Sequence, residues 1–498
     1  MTDSWFITAC IERRSLLIPL IAAAMCAFQP ANARGEEPTR IVHVDNLRGT
    51  DESGDGSSER PFRTMKRGVA ELKPGTLLDV ANTGTAYHET VRVQTSGAAG
   101  EPIIIEGHGA VNSGLIRRPL KDWKAEGSGV FSIPLPNNAW GMQSHWEGGF
   151  DLVRFDGKPG RNVTSRNALE PFGYFLYKNQ KELKTDPLHN TLFIRLPEGK
   201  TPDDVAVEAV GLISSFSILG SHVTIRHFVS EFFGDDGFAS TKPAVNVVFE
   251  GVEGRYNMDQ GMSHHGAEVT VRGSHFHHNA GCGVVDVYPE ARTRYEDCLI
   301  EDDTWRGGVE FYSGKFEMVN CVIRGNHKNA LLVNRGGEVT LRNCLLVGPE
   351  EKKTPGVLVT ENGKLTMENC TVANFTTGLT VRPNAFASIR NSAFMNCAAN
   401  LEIMVAADPG DLASALSKTL YSDGNAFASA SFVLKGGKSY SVIEWLDLRK
   451  SSGADAHSVI FTPLANPLPL SLPELAGKSV DGAPIGAHLL KMPTLKLK

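Results

Sequence analysis

Short segments in which apolar and polar residues alternate recur along the middle of the chain, about 23 residues apart. Side chains of a β-strand point to opposite faces in turn, so the alternation predicts strands. A period of this length with short strands is typical of a solenoid whose repeats stack as successive turns. One apolar or small residue anchors each repeat, and the anchors are Phe228, Val252, Ser274, Cys298, Cys321, Cys344, Cys370 and Ser392.

A second series of equivalent positions, the glycine series, follows the anchors after a turn. It consists of Gly237, Gly261, Gly283, Gly308, Ala330, Gly356 and Gly378. Stacked turns lie about 4.8 Å apart, so this series predicts which residues lie above one another. It places His264 and Asp286 in one inward column, where the two side chains would satisfy each other's hydrogen bonds.

Two further columns are predicted to be structural. The anchors from Cys298 to Cys370 form an internal column, which we interpret as small buried apolar residues rather than metal ligands or disulfides. Asn257, Asn279 and Asn326 follow their anchors at the same distance. They predict a ladder of turn residues that satisfies backbone groups.

Further motifs lie on both sides of the regular repeats. Before the repeats come Val44-Asp45-Asn46, Gly54-Asp55-Gly56, Pro61-Phe62-Arg63-Thr64, Pro74-Gly75 and Tyr87-His88-Glu89-Thr90. After the repeats come Asp423-Gly424-Asn425, Trp445, His457-Ser458, Pro463 and Ile485-Gly486-Ala487. Together with the repeats, these motifs resemble secreted right-handed parallel β-helix proteins of the pectate-lyase-like class. The resemblance implies an all-β fold, a right-handed parallel β-helix that handles polysaccharide. It implies no single reaction, because the class holds lyases, hydrolases, epimerases and proteins without a known reaction.

The N-terminus has the features of an export signal. Arg13 and Arg14 precede an apolar run, and Ala31-Asn32-Ala33 offers small residues for cleavage. We therefore expect a signal peptide over residues 1–33, cleaved near Ala33, and a secreted or periplasmic protein. No other stretch of the sequence approaches twenty apolar residues, so no membrane span is predicted.

The remaining sequence divides into four predicted regions. Apolar residues at helical spacing after Pro61 indicate a short helix that caps the open end of the solenoid. The repeat is lost between Leu115 and Ala209, which predicts a β-rich insertion. The regions are the N-terminal cap and first turns (34–114), the insertion (115–210), the regular turns (211–420), and the C-terminal turns with a wrapping tail (421–498).

Charge narrows the choice of partner. The 498-residue chain has a formal net charge of −6 at pH 7. Such a chain offers no basic surface, so nucleic acid and anionic membranes are poor partners. We expect a monomer whose partner is a polysaccharide.

Reactive side chains concentrate in the first regular turns. Asp235, Asp236 and Asp259 fall on adjacent turns, just before the strands of the glycine series. Three carboxylates at such short range cannot all be stable as anions. Either one is protonated, as a general acid requires, or together they bind a cation such as Ca²⁺. The structural alternative is an ordinary turn, in which aspartate beside glycine is common.

Other positions of the same turns supply further candidates. His265, Glu310 and Tyr312 are candidate catalytic residues together with Asp236 and Asp259. The candidate substrate-binding residues are Lys242, Arg306, Trp140 and Trp146. Lys242 is also a possible base for a lyase. The tryptophan rings could stack on sugar faces or could pack inside the insertion.

Two functions fit these features. The first is a carbohydrate-active enzyme that acts on a polysaccharide in an outer groove of the first regular turns. A lyase would need a base and a cation that neutralises a uronate carboxylate. A glycoside hydrolase would need two carboxyl groups, about 5–5.5 Å apart if retaining and about 6.5–9.5 Å apart if inverting. The second function is that of a non-catalytic extracellular β-helix protein that binds glycan or serves as a rigid module.

Overall fold

The computed structural model describes residues 38–135, 153–178, 186, 188–304, 306–351, 354–404, 412–428, 431–434, 439–450, 454–461 and 485–489. The predicted signal peptide, Trp140 and Trp146 lie outside these residues. The described residues form a parallel β-solenoid of about 12 turns, as predicted. Each regular turn of the solenoid contains three short strands, and the chain changes direction between them.

Equivalent strands of successive turns pair in parallel and form three ladders. Ladder 1 contains Arg40–Val44, Thr76–Val80, Ile103–Ser113, Val223–Glu231, Val247–Glu250, Glu268–Arg272, Arg292–Glu296, Lys315–Val319, Glu338–Arg342, Lys364–Glu368, Phe386–Arg390 and Leu420–Asp423. Ladder 2 starts in the second halves of Ile103–Ser113 and Val223–Glu231 and continues through Glu253–Arg255, His275–His277, Leu299–Glu301, Val322–Arg324, Leu345–Val347, Thr371–Ala373, Ala393–Met395, Ala426–Phe427 and Val459–Ile460. Ladder 3 contains Val91–Val93, Phe216–Ile218, Phe238–Thr241, Gln260–His265, Cys282–Val287, Gly307–Tyr312, Asn329–Asn334, Val357–Val359, Thr377–Val381, Ala399–Ile403 and Ser431–Leu434, with Ser439–Tyr440 antiparallel at its end.

The register of ladder 3 confirms the predicted stacking. Phe238 pairs with Met262, so Gly237 and Gly261 of the glycine series lie over each other. The pairings of the following strands continue the series. The cysteine anchors are buried free thiols inside the solenoid, and Cys321 donates to a backbone carbonyl. Their interpretation as apolar core residues is confirmed.

The inward column differs from the prediction at one pair. His264 lies beside Asp286 in register, and both side chains are fully buried. However, Nδ1 of His264 lies 2.6 Å from the Ser240 hydroxyl, whereas the Asp286 carboxylate accepts from the Tyr295 hydroxyl at 3.1 Å. The predicted pairing of the two side chains is therefore wrong, because a hydroxyl group nearby serves each of them instead.

The insertion forms two small sheets with a core of their own. One sheet contains Lys124–Gly127, Val130–Pro134, Arg161–Asn162, Gly173–Tyr177 and Thr191–Arg195. The other sheet contains Leu115–Arg117, Val153–Phe155, Lys158–Pro159 and Val207–Val210. Short 3-10 helices lie at Leu120–Asp122 and Arg166–Ala168. Phe232 and Met258 of the solenoid belong to the core of the insertion, so the insertion packs against the turns that carry the candidate residues.

Helices lie against the ends of the solenoid, and a short C-terminal segment lies along ladder 2, where Ala487 and Leu489 pack with Leu299, Val322 and Leu345. The helix Met65–Val69 buries Met65 on the first turn, and the Thr64 hydroxyl caps it by accepting from the Arg67 N–H at 3.1 Å. Helices also span Leu412–Ser417 and Val442–Lys450, and Trp445 of the latter stacks on Phe432 with ring centroids 4.8 Å apart. Within residues 485–489, the Ala487 N–H donates to the Thr371 hydroxyl at 2.8 Å.

No helix among the described residues has the length and apolar character that crossing a membrane requires.

The predicted asparagine ladder lies in the turn between ladders 2 and 3. Asn279 donates from Nδ2 to the Gly254 carbonyl at 3.1 Å, and its Oδ1 accepts from the Asn257 N–H at 3.1 Å. Asp303 occupies the equivalent position on the next turn, where its Oδ1 accepts from the Asn279 N–H at 2.9 Å. The Oδ2 atom of Asp303 is buried and has no hydrogen-bond partner among the described residues. Asp303 is thus a carboxyl group at a position that suits an amide.

Asp303→Asn is expected to stabilise the protein more as the pH rises. Burial raises the pKa of Asp303 well above its usual value, so the folded state keeps a proton that the unfolded state releases from about pH 4 upward. The wild type therefore loses stability with rising pH at this group, and asparagine does not titrate. We expect a gain of about 1–3 kcal/mol at pH 8 and little at pH 4, measured by urea unfolding. Asp297→Asn, at an exposed residue whose charge does not act on Asp303, is the control. Equal gains at both pH values would contradict the expectation.

Candidate active site

Asp235, Asp236 and Asp259, here called the acidic cluster, lie where the chain passes from ladder 2 into ladder 3. They come from two adjacent turns, and the Asp235 N–H donates to the Ile213 carbonyl at 2.8 Å, which fixes the first of these turns. Carboxylate oxygens of the three residues all lie within 4.8 Å of one another. Positions close to the glycine series on stacked turns must lie close in space, which is why the sequence brings these carboxylates together.

Burial and mutual repulsion alter the protonation of the acidic cluster. Asp236 and Asp259 are buried, whereas Asp235 is partly exposed. Burial, and then the carboxylates of Asp235 and Asp259, raise the pKa of Asp236 well above its usual value. Burial and Asp235 also raise the pKa of Asp259 to about 7, although the Arg306 guanidinium opposes the rise. The acidic cluster therefore retains a proton at neutral pH.

The oxygens of the acidic cluster also suit a hard cation. Ca²⁺ takes about six to eight oxygen ligands, with carboxylates and carbonyls preferred. The Oδ1 atom of Asp236 is buried and has no hydrogen-bond partner among the described residues. A cation would satisfy this oxygen and would displace the proton, so the donor set fits Ca²⁺.

Arg306 connects the acidic cluster to two residues of the strand Gly307–Tyr312. Its Nη1 lies 4.0 Å from Oδ1 of Asp259, and its Nη2 donates to Oε2 of Glu310 at 2.6 Å. The Tyr312 hydroxyl donates to the same Glu310 oxygen at 2.7 Å. Burial, and then the charge of Glu310, raise the pKa of Tyr312 to about 12. Tyr312 therefore acts as a hydrogen-bond donor to Glu310 and is a poor base.

His265 reaches the acidic cluster through Ser263. Nε2 of His265 lies 2.8 Å from the Ser263 hydroxyl oxygen, and Ser263 also hydrogen-bonds to the Asp236 side chain. Burial lowers the pKa of His265, so its imidazole is neutral at pH 7. The three side chains form a chain of hydrogen bonds along which a proton can move between Asp236 and the partly exposed His265.

Three residues of the site were not predicted as functional. Gln260 donates from Nε2 to Oδ1 of Asp259, Ser263 contacts Asp236, and the Cys282 thiol is buried beside them. Burial, and then the Glu310 charge, raise the pKa of Cys282 well above its usual value, so the group stays a thiol. Gln260 and Cys282 each directly precede a glycine of the glycine series. This place in the repeat could have predicted that both residues lie beside the acidic cluster.

Lys242 lies apart from the acidic cluster. It follows the last residue of the strand Phe238–Thr241, whereas Asp236 precedes the first. Its Nζ pairs with Glu290 at 2.9 Å and lies 5.2 Å from the ring centre of the exposed Tyr288. The position of Lys242 suits contact with a long ligand rather than proton transfer at the carboxylates.

The insertion contains Trp123, Trp140 and Trp146, of which the structure describes only Trp123. Trp123 is buried in the core of the insertion, and its indole N–H donates to the Arg118 carbonyl at 3.0 Å. Its role is therefore packing. Trp140 and Trp146, the predicted sugar-stacking residues, lie outside the described residues.

Comparisons with known proteins agree with the fold. Residues 214–346 match the family described as "Right handed beta helix region". Among solved structures, XylC in its complex with xylose has a TM-score of 0.51 at 12% identity, covering 79% of this chain and 86% of that chain. The pectate lyase Pel9A has a TM-score of 0.42 at 13% identity, covering 74% of this chain and 78% of that chain.

One curated relative shares a short stretch of sequence. The protein nessun dorma of Drosophila melanogaster is 25% identical over 92 residues. The match spans 18% of this chain and 15% of that protein, so it carries no activity from one to the other. The ladders show that the chain is a parallel β-solenoid, and its residues 214–346 match the right-handed β-helix family.

Proposed function

We propose that this protein hydrolyses glycosidic bonds of a polysaccharide with the carboxyl groups of Asp236, Asp259 and Glu310. A glycoside hydrolase needs one carboxyl group that keeps its proton near neutral pH and a second that is ionised. Burial, which raises the pKa of Asp259 to about 7, supports the first role. The contacts of Glu310 with Arg306 and Tyr312 support the second. The observation that carries the proposal is this pair of unlike carboxyl groups, joined by one guanidinium.

The residues around the carboxyl groups have matching roles. Asp259 donates its proton to the leaving-group oxygen, and Glu310 activates water or attacks the sugar. Arg306 and Tyr312 hold Glu310 in place by donating hydrogen bonds to its Oε2. Ser263 and His265 return a proton to Asp236 and so to the acidic cluster, since their hydrogen bonds lead from the buried carboxyl group to a partly exposed imidazole.

The charges indicate the class of substrate. The acidic cluster repels a uronate when no cation is bound, so hydrolysis suits a neutral polysaccharide. The ring of Tyr288, which is 48% exposed on the same flank as Lys242, offers an apolar face on which a sugar can stack. The predicted export signal would bring this activity outside the cytoplasm, where such polymers occur.

One observation favours a second candidate, a calcium-dependent lyase that acts on a uronate polymer. The unpartnered, buried Oδ1 of Asp236 fits a cation that Asp235, Asp236 and Asp259 would hold. When bound, Ca²⁺ would neutralise the carboxylate of the substrate. His265 would then be the available base, since Tyr312 is a poor one. The acidic cluster cannot hold its proton and a cation at the same time. The effect of Ca²⁺ on activity therefore distinguishes the hydrolase from the lyase.

The test is incubation of the full chain with neutral and uronate-containing polysaccharides, each with excess Ca²⁺ or with a chelator. We expect reducing ends from a neutral polymer, no absorbance from unsaturated products, and equal or lower activity with Ca²⁺. Unsaturated products that require Ca²⁺ would assign the lyase instead. Silence on every polymer, together with retained binding to one of them, would assign the non-catalytic function.

His265→Ala is expected to lower kcat by less than about 10²-fold with little change in KM. A relay is less critical than the acid itself, whose loss costs about 10²–10⁴-fold, because water can replace the imidazole. The pH–rate profile should change on its alkaline limb, where return of the proton becomes limiting. His327→Ala, at an exposed histidine on a later turn, is the control. A loss as large as that of Asp259→Asn would make His265 a principal catalytic group and refute the relay.

A further inference from the structure

A group of histidines lies on the outer face of ladder 2, on the other side of the asparagine turn from the acidic cluster. The rings of His275 and His277 stack with centroids 4.1 Å apart, and Nδ1 of His277 lies 2.7 Å from Nδ1 of His278. His278 is exposed, whereas the side chain of His277 is 12% exposed. Two imidazole nitrogens therefore meet at one point that solvent can reach.

The tautomer of His277 follows from its neighbour Glu253. Oε1 of Glu253 lies 3.1 Å from Nε2 of His277 and accepts from Nη1 of Arg255 at 2.6 Å. Because Oε1 of Glu253 accepts from the guanidinium of Arg255, this oxygen carries no hydrogen and can only accept from His277. Nε2 of His277 therefore carries the hydrogen. Nδ1 of neutral His277 therefore presents a lone pair toward His278.

His278 can present a second lone pair without any net loss of a proton. Its Nδ1 carries the hydrogen while it bonds to Nδ1 of His277, but its exposed ring can move that hydrogen to Nε2. Both Nδ1 atoms then offer lone pairs to one point. A tetrahedral metal with bonds of about 2.0–2.1 Å needs two nitrogens about 3.3 Å apart, slightly more than the 2.7 Å observed. A small rotation of the exposed ring supplies the difference.

The backbone at His278 has the conformation that this corner of the solenoid usually takes. Its φ is 54°, and Tyr256 and Asp302, at the same corner of the preceding and following turns, also have positive φ. The regular corner thus places the imidazole of His278 beside that of His277.

We propose that His277 and His278 bind a late first-row divalent metal through their Nδ1 atoms, with water in the remaining positions. Imidazole suits Zn²⁺, Ni²⁺ and Cu²⁺, whereas the oxygens of the acidic cluster suit Ca²⁺, so the two sites take different ions. Glu253 orients the ligand His277 through its Nε2–H, which is the usual outer-shell partner of a metal-bound histidine. Arg255 in turn fixes Glu253 and also pairs with Glu231 at 2.7 Å.

The test is calorimetric titration of the full chain with Zn²⁺, purified without a histidine tag and with excess Ca²⁺ present. We expect one Zn²⁺ per chain in the wild type, loss of this binding in His278→Ala, and no change in His327→Ala. Since His278 is exposed, its replacement leaves the core intact. Glu253→Gln is expected to weaken binding by about 10–100-fold.

A spectroscopic readout identifies the ligands directly. Cu²⁺ bound to the wild type is expected to show hyperfine coupling to two nitrogens in its electron paramagnetic resonance spectrum, and His278→Ala to show fewer. Zn²⁺ binding of equal strength in the wild type and His278→Ala would overturn the proposal, as would a wild type that binds no Zn²⁺. Neither result depends on whether the acidic cluster is catalytic.

Discussion

Asp259→Asn is expected to abolish cleavage of the polysaccharide and, at the same time, to stabilise the fold. Asparagine keeps the shape of the side chain but has no proton to give to a leaving group. Loss of a general acid costs about 10²–10⁴-fold in rate. The fall should appear in kcat, because the side chain is 2% exposed and contributes little surface to binding. Initial rates on the polymer that the wild type cleaves measure the effect.

The gain in stability has a defined dependence on pH. Burial raises the pKa of Asp259 to about 7 in the folded state, whereas the unfolded chain releases this proton near pH 4. A raised folded pKa contributes stability that is complete below pH 4 and is lost as the pH rises to about 7. The variant has no such loss, so its advantage over the wild type grows between pH 4 and pH 7, to about 1–4 kcal/mol.

Urea unfolding across this range, with a chelator present, measures that advantage. Asp302→Asn is the matched control, because it makes the same chemical change at an exposed residue two turns further along the solenoid. It should leave both activity and stability close to wild type. An Asp259→Asn protein that retained a tenth of the activity would exclude Asp259 as the acid. A stability difference that did not vary with pH would show that Asp259 is ionised in the fold.

The architecture was predictable because a solenoid repeats its constraints. Every turn must bury an apolar residue at the same places. The spacing of anchors such as Cys321 and Cys344 therefore gives the length of the repeat, and no contact between distant parts of the sequence has to be known. The glycine series fixes the register, and register alone brings Asp236 and Asp259 together. Fold and acidic cluster therefore both follow from one periodic pattern.

The contacts that give the site its chemistry depend on details that periodicity does not contain. The sequence placed Arg306 near the site but could not show that its guanidinium joins Asp259 to Glu310, since Arg306 lies in a turn outside the strands. The pairing of His264 failed for a similar reason, because Ser240 is nearer. Side-chain conformation, rather than position in the repeat, decided both.

Arg306→Met is expected to destabilise the protein by about 3–5 kcal/mol at pH 8, the cost of leaving buried carboxylates without their cation. The side chain of Arg306 is 18% exposed, and it serves both Asp259 and Glu310. Its charge opposes the rise that burial causes in the pKa of Asp259, so its removal raises that pKa further. The folded state then keeps a proton to higher pH, and the loss of stability is greater at pH 8 than at pH 5.

Restoring the charge balance should restore much of the stability. Arg306→Met combined with Glu310→Gln removes one cation and one anion, so the double variant is expected to recover at least half of the loss at pH 8. Arg161→Met is the control, since Arg161 forms an exposed ion pair with Glu170, for which a cost below about 1 kcal/mol is expected. Urea unfolding of the four proteins at both pH values measures these differences. A double variant as unstable as Arg306→Met, or equal losses at pH 5 and pH 8, would show that Arg306 stabilises the site by packing rather than by charge.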